Sequence, residues 1–251
     1  MIDPAADKRQ PDQSFFYRIQ TGTPGYNPFR RILSCCSAMN TIKNTGFRTI
    51  GGYQLSLLSR NDLKDLSEAA DACKIERLRF TPSSQIAVSC ASEEQFSQFS
   101  QRIKPILKPL PTNGISTIFC CGGCNDCDHG LADTDHLASL MQTMDLPVPM
   151  PAKLKVAIAG CPRCCTMPRL RDIGLSPYSG KSRKWNLSFG GNGGIKPRIG
   201  DVLGTGLGLD EVFALIHKAV TLYQKEAKSG MRTAAYVEHV SKDVFLEKLH
   251  Q

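Results

Sequence analysis

The chain has 251 residues, of which 41% are hydrophobic and 22% are charged, and its formal net charge is +8. This composition is typical of a globular protein with one large core or two small ones. No apolar stretch approaches the roughly 18 residues that a membrane span needs, and the N-terminus lacks the apolar segment of a secretory signal. The sequence therefore predicts neither a membrane protein nor an exported one.

The chain contains eleven cysteines. Without an export signal, so many thiols indicate a reducing, cytoplasmic location and metal ligation rather than disulfides. The net positive charge favours an anionic partner. Its lysines and arginines are scattered without interleaved aromatic residues, so nucleic acid is not the expected partner.

The first part of the chain alternates between strand and helix patterns. Residues 1–45 are rich in polar residues, proline and glycine, and we expect a loosely structured extension there. Strand patterns and amphipathic helix patterns then follow one another, as in half of a ferredoxin-like unit. We assign residues 46–110 to this half-domain, with extended segments over 47–58, 77–81 and 85–88 and helices over 62–73 and 93–107.

The second region, residues 111–251, is predicted to be an α/β domain. Its strands are expected over 116–119, 153–159 and 185–189, and its helices over 129–144 and 210–228. The predicted fold class is therefore α+β, with a ferredoxin-like half-domain followed by an α/β domain.

Two cysteine pairs dominate this second region. They read Cys121-x5-Cys127 and Cys161-x3-Cys165. Four such thiolates suit the irons of an iron–sulfur cube. Three further cysteines, Cys120, Cys124 and Cys164, also allow a tetrathiolate zinc site, as in a structural or nucleic-acid-binding module.

With these motifs in place, the chain resembles the siroheme and [4Fe-4S] sulfite/nitrite reductase family. The cysteine spacings match the cluster motifs of that family, and Gly160-Cys161-Pro162 with Arg171-Asp172-Ile173-Gly174 resembles the second motif. The resemblance implies that residues 111–251 bind siroheme and a [4Fe-4S] cluster. It further implies that Cys121, Cys127, Cys161 and Cys165 ligate the cluster and that Cys165 bridges it to siroheme.

A glycine-rich segment after the predicted strand 185–189 also resembles the family. Free backbone N–H groups and cationic side chains there suit a polycarboxylate cofactor. The implied siroheme-binding residues are Gly190, Gly191, Asn192, Gly193, Gly194, Lys196 and Arg198. Lys153 and Lys155 lie on one face of their predicted strand, and the resemblance implies that they contact a small anionic substrate, sulfite or nitrite.

The implied activity is a six-electron reduction of sulfite to sulfide, or of nitrite to ammonia. The sequence holds no second, ferredoxin-type cysteine motif, so we expect an external electron donor, ferredoxin-like in character. Two segments where the family usually carries arginine, 81–85 and 114–119, have none. The alternative is therefore a siroheme and [4Fe-4S] protein with another substrate or with an electron-transfer role.

Overall fold

The computed structural model describes residues 46–56, 58–81, 84–110, 113–179 and 183–250. The extension predicted over residues 1–45 lies outside the described residues. Residues 47–251 form one compact unit that contains a three-stranded sheet and a five-stranded sheet. Each sheet packs its own apolar cluster. The α+β fold class is thus confirmed, while the proposed boundary at residue 110 stays a prediction.

The three-stranded sheet belongs to the N-terminal half and has the order β1-β3-β2. β2 and β3 pair antiparallel, and two amphipathic helices cover the apolar cluster beside them. The elements are β1 (Gly46–Ile50), α1 (Arg60–Ala72), β2 (Leu78–Phe80), β3 (Ile86–Cys90) and α2 (Glu93–Ile103).

Both helices of this half begin where the sequence offers a capping serine. The Ser59 hydroxyl accepts a hydrogen bond from the Asp62 backbone N–H, and the Asp62 carboxylate accepts one from the Ser59 N–H. Ser92 caps α2 by accepting from the Gln95 N–H at 3.1 Å. These caps satisfy backbone donors that the helix itself leaves free, so both helix starts follow from local sequence.

The five-stranded sheet has the order β4-β5-β6-β7-β8. Its first three strands run parallel, and β6, β7 and β8 pair antiparallel. The strands are β4 (Ile115–Cys120), β5 (Leu154–Ile158), β6 (Ile173–Pro177), β7 (Trp185–Phe189) and β8 (Asp201–Leu207). The helices are α3 (Gly123–Asp126), α4 (Thr134–Gln142), α5 (Leu209–Glu226), α6 (Thr233–Val240) and α7 (Lys242–His250), with a 3-10 turn at Pro168–Leu170.

Strand alternation gives this sheet two different faces. Leu154, Val156 and Ile158 of β5 are fully buried in the apolar cluster, which also contains residues of α4, α5, α6 and α7. Lys155 alternates with them and therefore points to the opposite face. One sheet face thus supports the core, and the other presents polar groups.

The structure confirms most of the helices and strands predicted for the described residues, but several of them begin or end at other residues than predicted. The first strand ends at Ile50 instead of continuing to residue 58. The helix expected over 129–144 begins only at Thr134, because Asp133 caps it by accepting from the His136 N–H at 2.9 Å. The sequence patterns did not predict α3, β6, β8, α6 or α7. In the described residues, no helix is long and apolar enough to cross a membrane.

Candidate functional site

A cavity of about 360 Å³ opens between the two sheets. Its floor includes β4 and β5, and its other walls come from the chain after β1 and the turn before β3. Gln54 and Gln142 join the two halves near their contact through a side-chain hydrogen bond of 2.8 Å. The lining residues are Gly51, Gly52, Ser84, Gln85, Leu110, Ile115, Ser116, Thr117, Lys153 and Lys155.

The two predicted substrate lysines both line this cavity. Lys153 is exposed and Lys155 is half-buried. Burial lowers the pKa of Lys155 below its usual value, and the nearby positive charges of Arg232, Arg171 and Lys153 lower it further, while Asp172 acts in the opposite direction. The cavity wall at Lys155 is therefore strongly cationic and suited to an anion.

Asp172 is the buried counter-charge of this cationic group, and its carboxylate is 0% exposed. It accepts hydrogen bonds from the Lys155 backbone N–H at 2.8 Å, from Arg232 Nη2 at 2.5 Å and from the Thr233 hydroxyl. The sequence motif included Asp172 but gave it no role, and it gave no signal at all for Arg232 or Thr233. Only their contact in the fold identifies them.

The cysteines lie beyond the carboxyl ends of two neighbouring parallel strands, β4 and β5. Cys121 follows β4 directly, and Cys161 follows β5 after a short turn. The charges of Cys161, Cys165 and Cys121 all act on Cys164, so these three predicted ligands converge there. Cys127 is exposed at the end of α3. The structure thus brings three of the four predicted ligands close to one another, and the role of Cys127 as a ligand stays a prediction.

Close backbone contact holds the two cysteine loops together. The Gly160 N–H donates to Cys121 Sγ at 3.1 Å, and the Thr134 hydroxyl donates to the Cys121 carbonyl at 2.5 Å. A Cβ at Gly160 would lie 2.7 Å from the Gly123 Cα, so this approach requires glycine. An N–H donor on a cysteine sulfur is also one of the contacts that tune iron–sulfur clusters.

The three extra cysteines occupy different surroundings. Burial is the largest cause that raises the pKa of Cys120 and of Cys164, while Cys124 is exposed. Cys164 also has a left-handed backbone with φ of 51°. Within the described part of the chain, no three His, Cys, Asp or Glu side chains are grouped to hold a single metal ion.

The predicted glycine-rich segment folds into a tight loop after β7. Asn192 braces it, because its Nδ2 donates to the Lys196 carbonyl at 2.7 Å and its Oδ1 accepts from the Gly194 N–H at 3.2 Å. A Cβ on Gly191 would lie 2.4 Å from the Arg169 carbonyl oxygen, whereas Gly193, Gly194 and Lys196 are exposed.

Arg198, predicted to pair with cofactor carboxylates, is engaged within the protein. Its Nη1 donates to the Gly190 carbonyl at 2.8 Å, its Nη2 contacts Asp201 at 2.5 Å, and its Nε lies 3.6 Å from Glu238. Its contacts anchor the glycine loop to β8 and α6. A contact of Arg198 with the cofactor stays a prediction.

Known proteins resemble this chain in sequence and in fold. Residues 112–251 match the family model of the nitrite and sulphite reductase 4Fe-4S domain. Over 182 residues the chain is 29% identical to an assimilatory-type sulfite reductase of Nitratidesulfovibrio vulgaris, covering 72% of this chain and 82% of that protein. Over 126 residues it is 29% identical to the nitrite reductase [NAD(P)H] large subunit of Klebsiella oxytoca, covering 50% of this chain and 13% of that protein.

A solved structure shares the fold. The NirA protein of Mycobacterium tuberculosis matches with a TM-score of 0.61 at 21% identity, over 80% of this chain and 39% of that one. At this identity the likeness concerns the fold alone.

Proposed function

Because the chain belongs to the nitrite and sulphite reductase family, we propose that it reduces a small oxyanion, sulfite or nitrite, by six electrons. One observation carries the proposal: β5 presents Lys155 to the cavity and leads at its carboxyl end into the cysteine edge. An anion held by Lys155 and a redox centre held by Cys161 are thus positioned by the same strand.

The chain is an oxidoreductase of this family, and the cofactors of the family are a [4Fe-4S] cluster and siroheme. When bound, these cofactors supply the electron storage and transfer that no side chain provides. The zinc module considered from the cysteine spacing is therefore not retained.

We assign the cluster to Cys121, Cys127, Cys161 and Cys165. The donor set fits, because four soft thiols come from two adjoining loops. The Gly160 N–H already donates to Cys121 Sγ at 3.1 Å, as a protein does when it stabilises a thiolate. Cys165 is assigned as the residue shared with siroheme, following the family motif.

Siroheme is assigned to the polar face of the five-stranded sheet, with the glycine loop on one side. Gly193, Gly194 and Lys196 are exposed there, and they offer backbone N–H groups and one ammonium group to a polycarboxylate. Asn192 and Arg198 hold the loop in shape through the contacts described above.

The lysines bind the substrate and supply protons in this proposal. Lys153 and Lys155 attract the oxyanion into the cavity, where the half-buried position of Lys155 strengthens its attraction to a bound anion. Because the pKa of Lys155 is lowered, its ammonium group releases a proton more readily than an ordinary lysine as oxygens leave as water. The electrons come from an external donor, ferredoxin-like in character, and we place the enzyme in the cytoplasm.

Turnover of sulfite and of nitrite by cofactor-loaded protein with reduced viologen tests the proposal. We expect Lys155→Met to lower kcat/KM by about a hundredfold, and Lys155→Arg to retain part of the activity. Lys104→Met removes an equal charge from the exposed end of α2 and serves as the control. Absence of turnover of both anions by loaded wild-type protein would contradict the reductase assignment.

A second candidate function follows from the residues that line the cavity. In the segments where the family usually has arginine, the cavity is lined by the neutral residues Ser84, Gln85, Ser116 and Thr117. These neutral groups favour a substrate of lower charge density than sulfite, or an electron-transfer role. Turnover of neither sulfite nor nitrite by fully loaded protein would favour this candidate.

A further inference from the structure

Arg171 has no carboxylate partner among the described residues, whereas two other arginines of this region are ion-paired. Arg198 pairs with Asp201 and Glu238, and Arg232 pairs with Asp172. Within the described part of the chain, Arg171 Nη1 donates to the Leu170 carbonyl at a long 3.4 Å, and Nε is buried without a hydrogen-bond partner. A buried N–H donor of this kind has lost its hydrogen bond to water and has gained no protein acceptor, and a bound anion would provide an acceptor.

The guanidinium lies between the cavity sheet and the glycine loop. Its Cζ is 4.8 Å from the centroid of the Phe119 ring on β4, and Phe119 shares a strand face with the cavity residue Thr117. On the other side, a Cβ at Gly193 would lie 3.3 Å from Nη1. Arg171 therefore lies where a ligand spanning the sheet face and the loop would pass.

Two backbone hydrogen bonds fix Arg171 in this position. Its N–H donates to the Pro168 carbonyl at 3.1 Å, and its carbonyl accepts from the Gly191 N–H at 3.0 Å. The Phe119 ring restricts the side chain further through a cation–π contact. An arginine held in this way has already lost much of the conformational entropy that binding would otherwise cost.

The charge around Arg171 is also unbalanced. The positive charges of Arg232, Arg171 and Lys153 all act on Lys155, and Asp172 is the nearby buried anion. Asp172 is already occupied by three donors. Among the described groups that act on Lys155, three cations outnumber the single anion Asp172, so an incoming anion meets a net positive field.

We propose that Arg171 is an anion-binding residue of this site and supplies the guanidinium that segments 81–85 and 114–119 lack. This inference rests on the proposed function for the identity of the anion. Two anions share the required chemistry: a carboxylate of the tetrapyrrole and the oxyanion of the substrate. Arginine binds both through paired N–H donors.

Two binding measurements distinguish these anions without relying on turnover. In the first, cofactor-free protein is titrated with siroheme and followed by tetrapyrrole absorbance. In the second, loaded oxidised protein is titrated with sulfite or nitrite and followed by the change in the same bands. The variants are Arg171→Gln, which removes the charge, and Arg171→Lys, which keeps the charge but loses the fork. Arg102→Gln, an exposed change on α2, controls for net charge.

If a cofactor carboxylate is the ligand, Arg171→Gln should weaken siroheme binding by about tenfold or more, with little effect on anion binding by the loaded fraction. If the substrate is the ligand, siroheme binding should hold and the Kd for the anion should rise by about tenfold. In either case Arg171→Lys should fall between the wild type and Arg171→Gln.

The proposal would be overturned if Arg171→Gln changed the Kd for siroheme and the Kd for the anion by less than about twofold, as Arg102→Gln does. So small a change in Kd corresponds to a negligible difference in binding free energy. Far-ultraviolet circular dichroism checks that each variant is folded. If Arg171→Gln does not fold, the two titrations of Arg171→Lys test the proposal instead. Should wild-type protein turn over neither anion, the reductase assignment fails while the siroheme titration still tests Arg171.

Discussion

The buried carboxylate of Asp172 accepts a hydrogen bond from the Lys155 backbone N–H at 2.8 Å while it also contacts Arg232 Nη2 at 2.5 Å. One residue thus connects the cavity strand β5 with the start of α6. The contact holds the backbone of Lys155 and the guanidinium of Arg232 on the same carboxylate. The positions of Lys155 and Arg232 are therefore coupled through Asp172.

Asp172→Asn should destabilise the fold. The amide keeps the shape but removes the charge that pairs with Arg232, and breaking a buried ion pair on one side costs about 3 kcal/mol. Urea unfolding followed by circular dichroism measures the change in the free energy of unfolding. Asp65→Asn, at an exposed position of α1, is the control. Equal stability of the two variants would show that Asp172 has no such structural role.

Arg171→Gln should raise the pKa of Lys155. The Arg171 charge is one of the causes that lower this pKa, and its removal weakens the repulsion on the ammonium group. Competitive acetylation of Lys155 across a pH series, read by peptide mass spectrometry, measures the pKa. Arg102→Gln should leave it unchanged. A lower or constant pKa in Arg171→Gln would contradict the assigned proximity.

The depressed pKa of Lys155 also predicts a pH dependence of stability. Between its folded value and the ordinary value of 10.5, the unfolded chain holds this proton while the folded chain has lost it. The free energy of unfolding should therefore rise with pH through that window. Lys155→Met lacks this contribution. Urea unfolding of both proteins from neutral pH toward 10.5 should show the wild type gaining stability relative to the variant, and parallel profiles would refute the effect.

Gly160→Ala should impair cluster binding. The added Cβ would lie 2.7 Å from the Gly123 Cα, so the two cysteine loops must separate and the Gly160 N–H must leave Cys121 Sγ. Iron and acid-labile sulfide per chain should fall well below the wild-type values. Gly208→Ala is the matched control, because a Cβ there would meet Glu211 Oε2 only at an ordinary 3.5 Å. Normal iron content in Gly160→Ala would show that the close approach is dispensable.

Cys165→Ser should remove the cluster, whereas Cys164→Ser should retain it. The family spacing assigns Cys165 as a ligand, and a serine oxygen is a hard donor that suits iron–sulfur irons poorly. Iron, sulfide and the absorption spectrum of each variant provide the measurement. If Cys164→Ser loses the cluster and Cys165→Ser keeps it, the ligand assignment must be exchanged between these neighbours.

Local patterns in the sequence were sufficient for much of the fold. Period-two alternation in 153–159 predicted a strand with Lys153 and Lys155 on one face, and an amphipathic pattern predicted most of α1. β6 and β8 were missed because glycine interrupts both strands, at Gly174 in one and at Gly204 and Gly206 in the other. Their pairing with β7 supplies the stability that their own β propensity lacks.

The sequence by itself determined the chemistry of the site: two cysteine pairs, a glycine-rich loop and two alternating lysines, each recognisable within a short segment. Only the tertiary structure decided which charges act together. Arg232 and Thr233 lie 60 and 61 residues after Asp172 along the chain, and no local spacing encodes their contact with it. Chain folding brings them together because a buried carboxylate is stable only where donors from several elements converge on it.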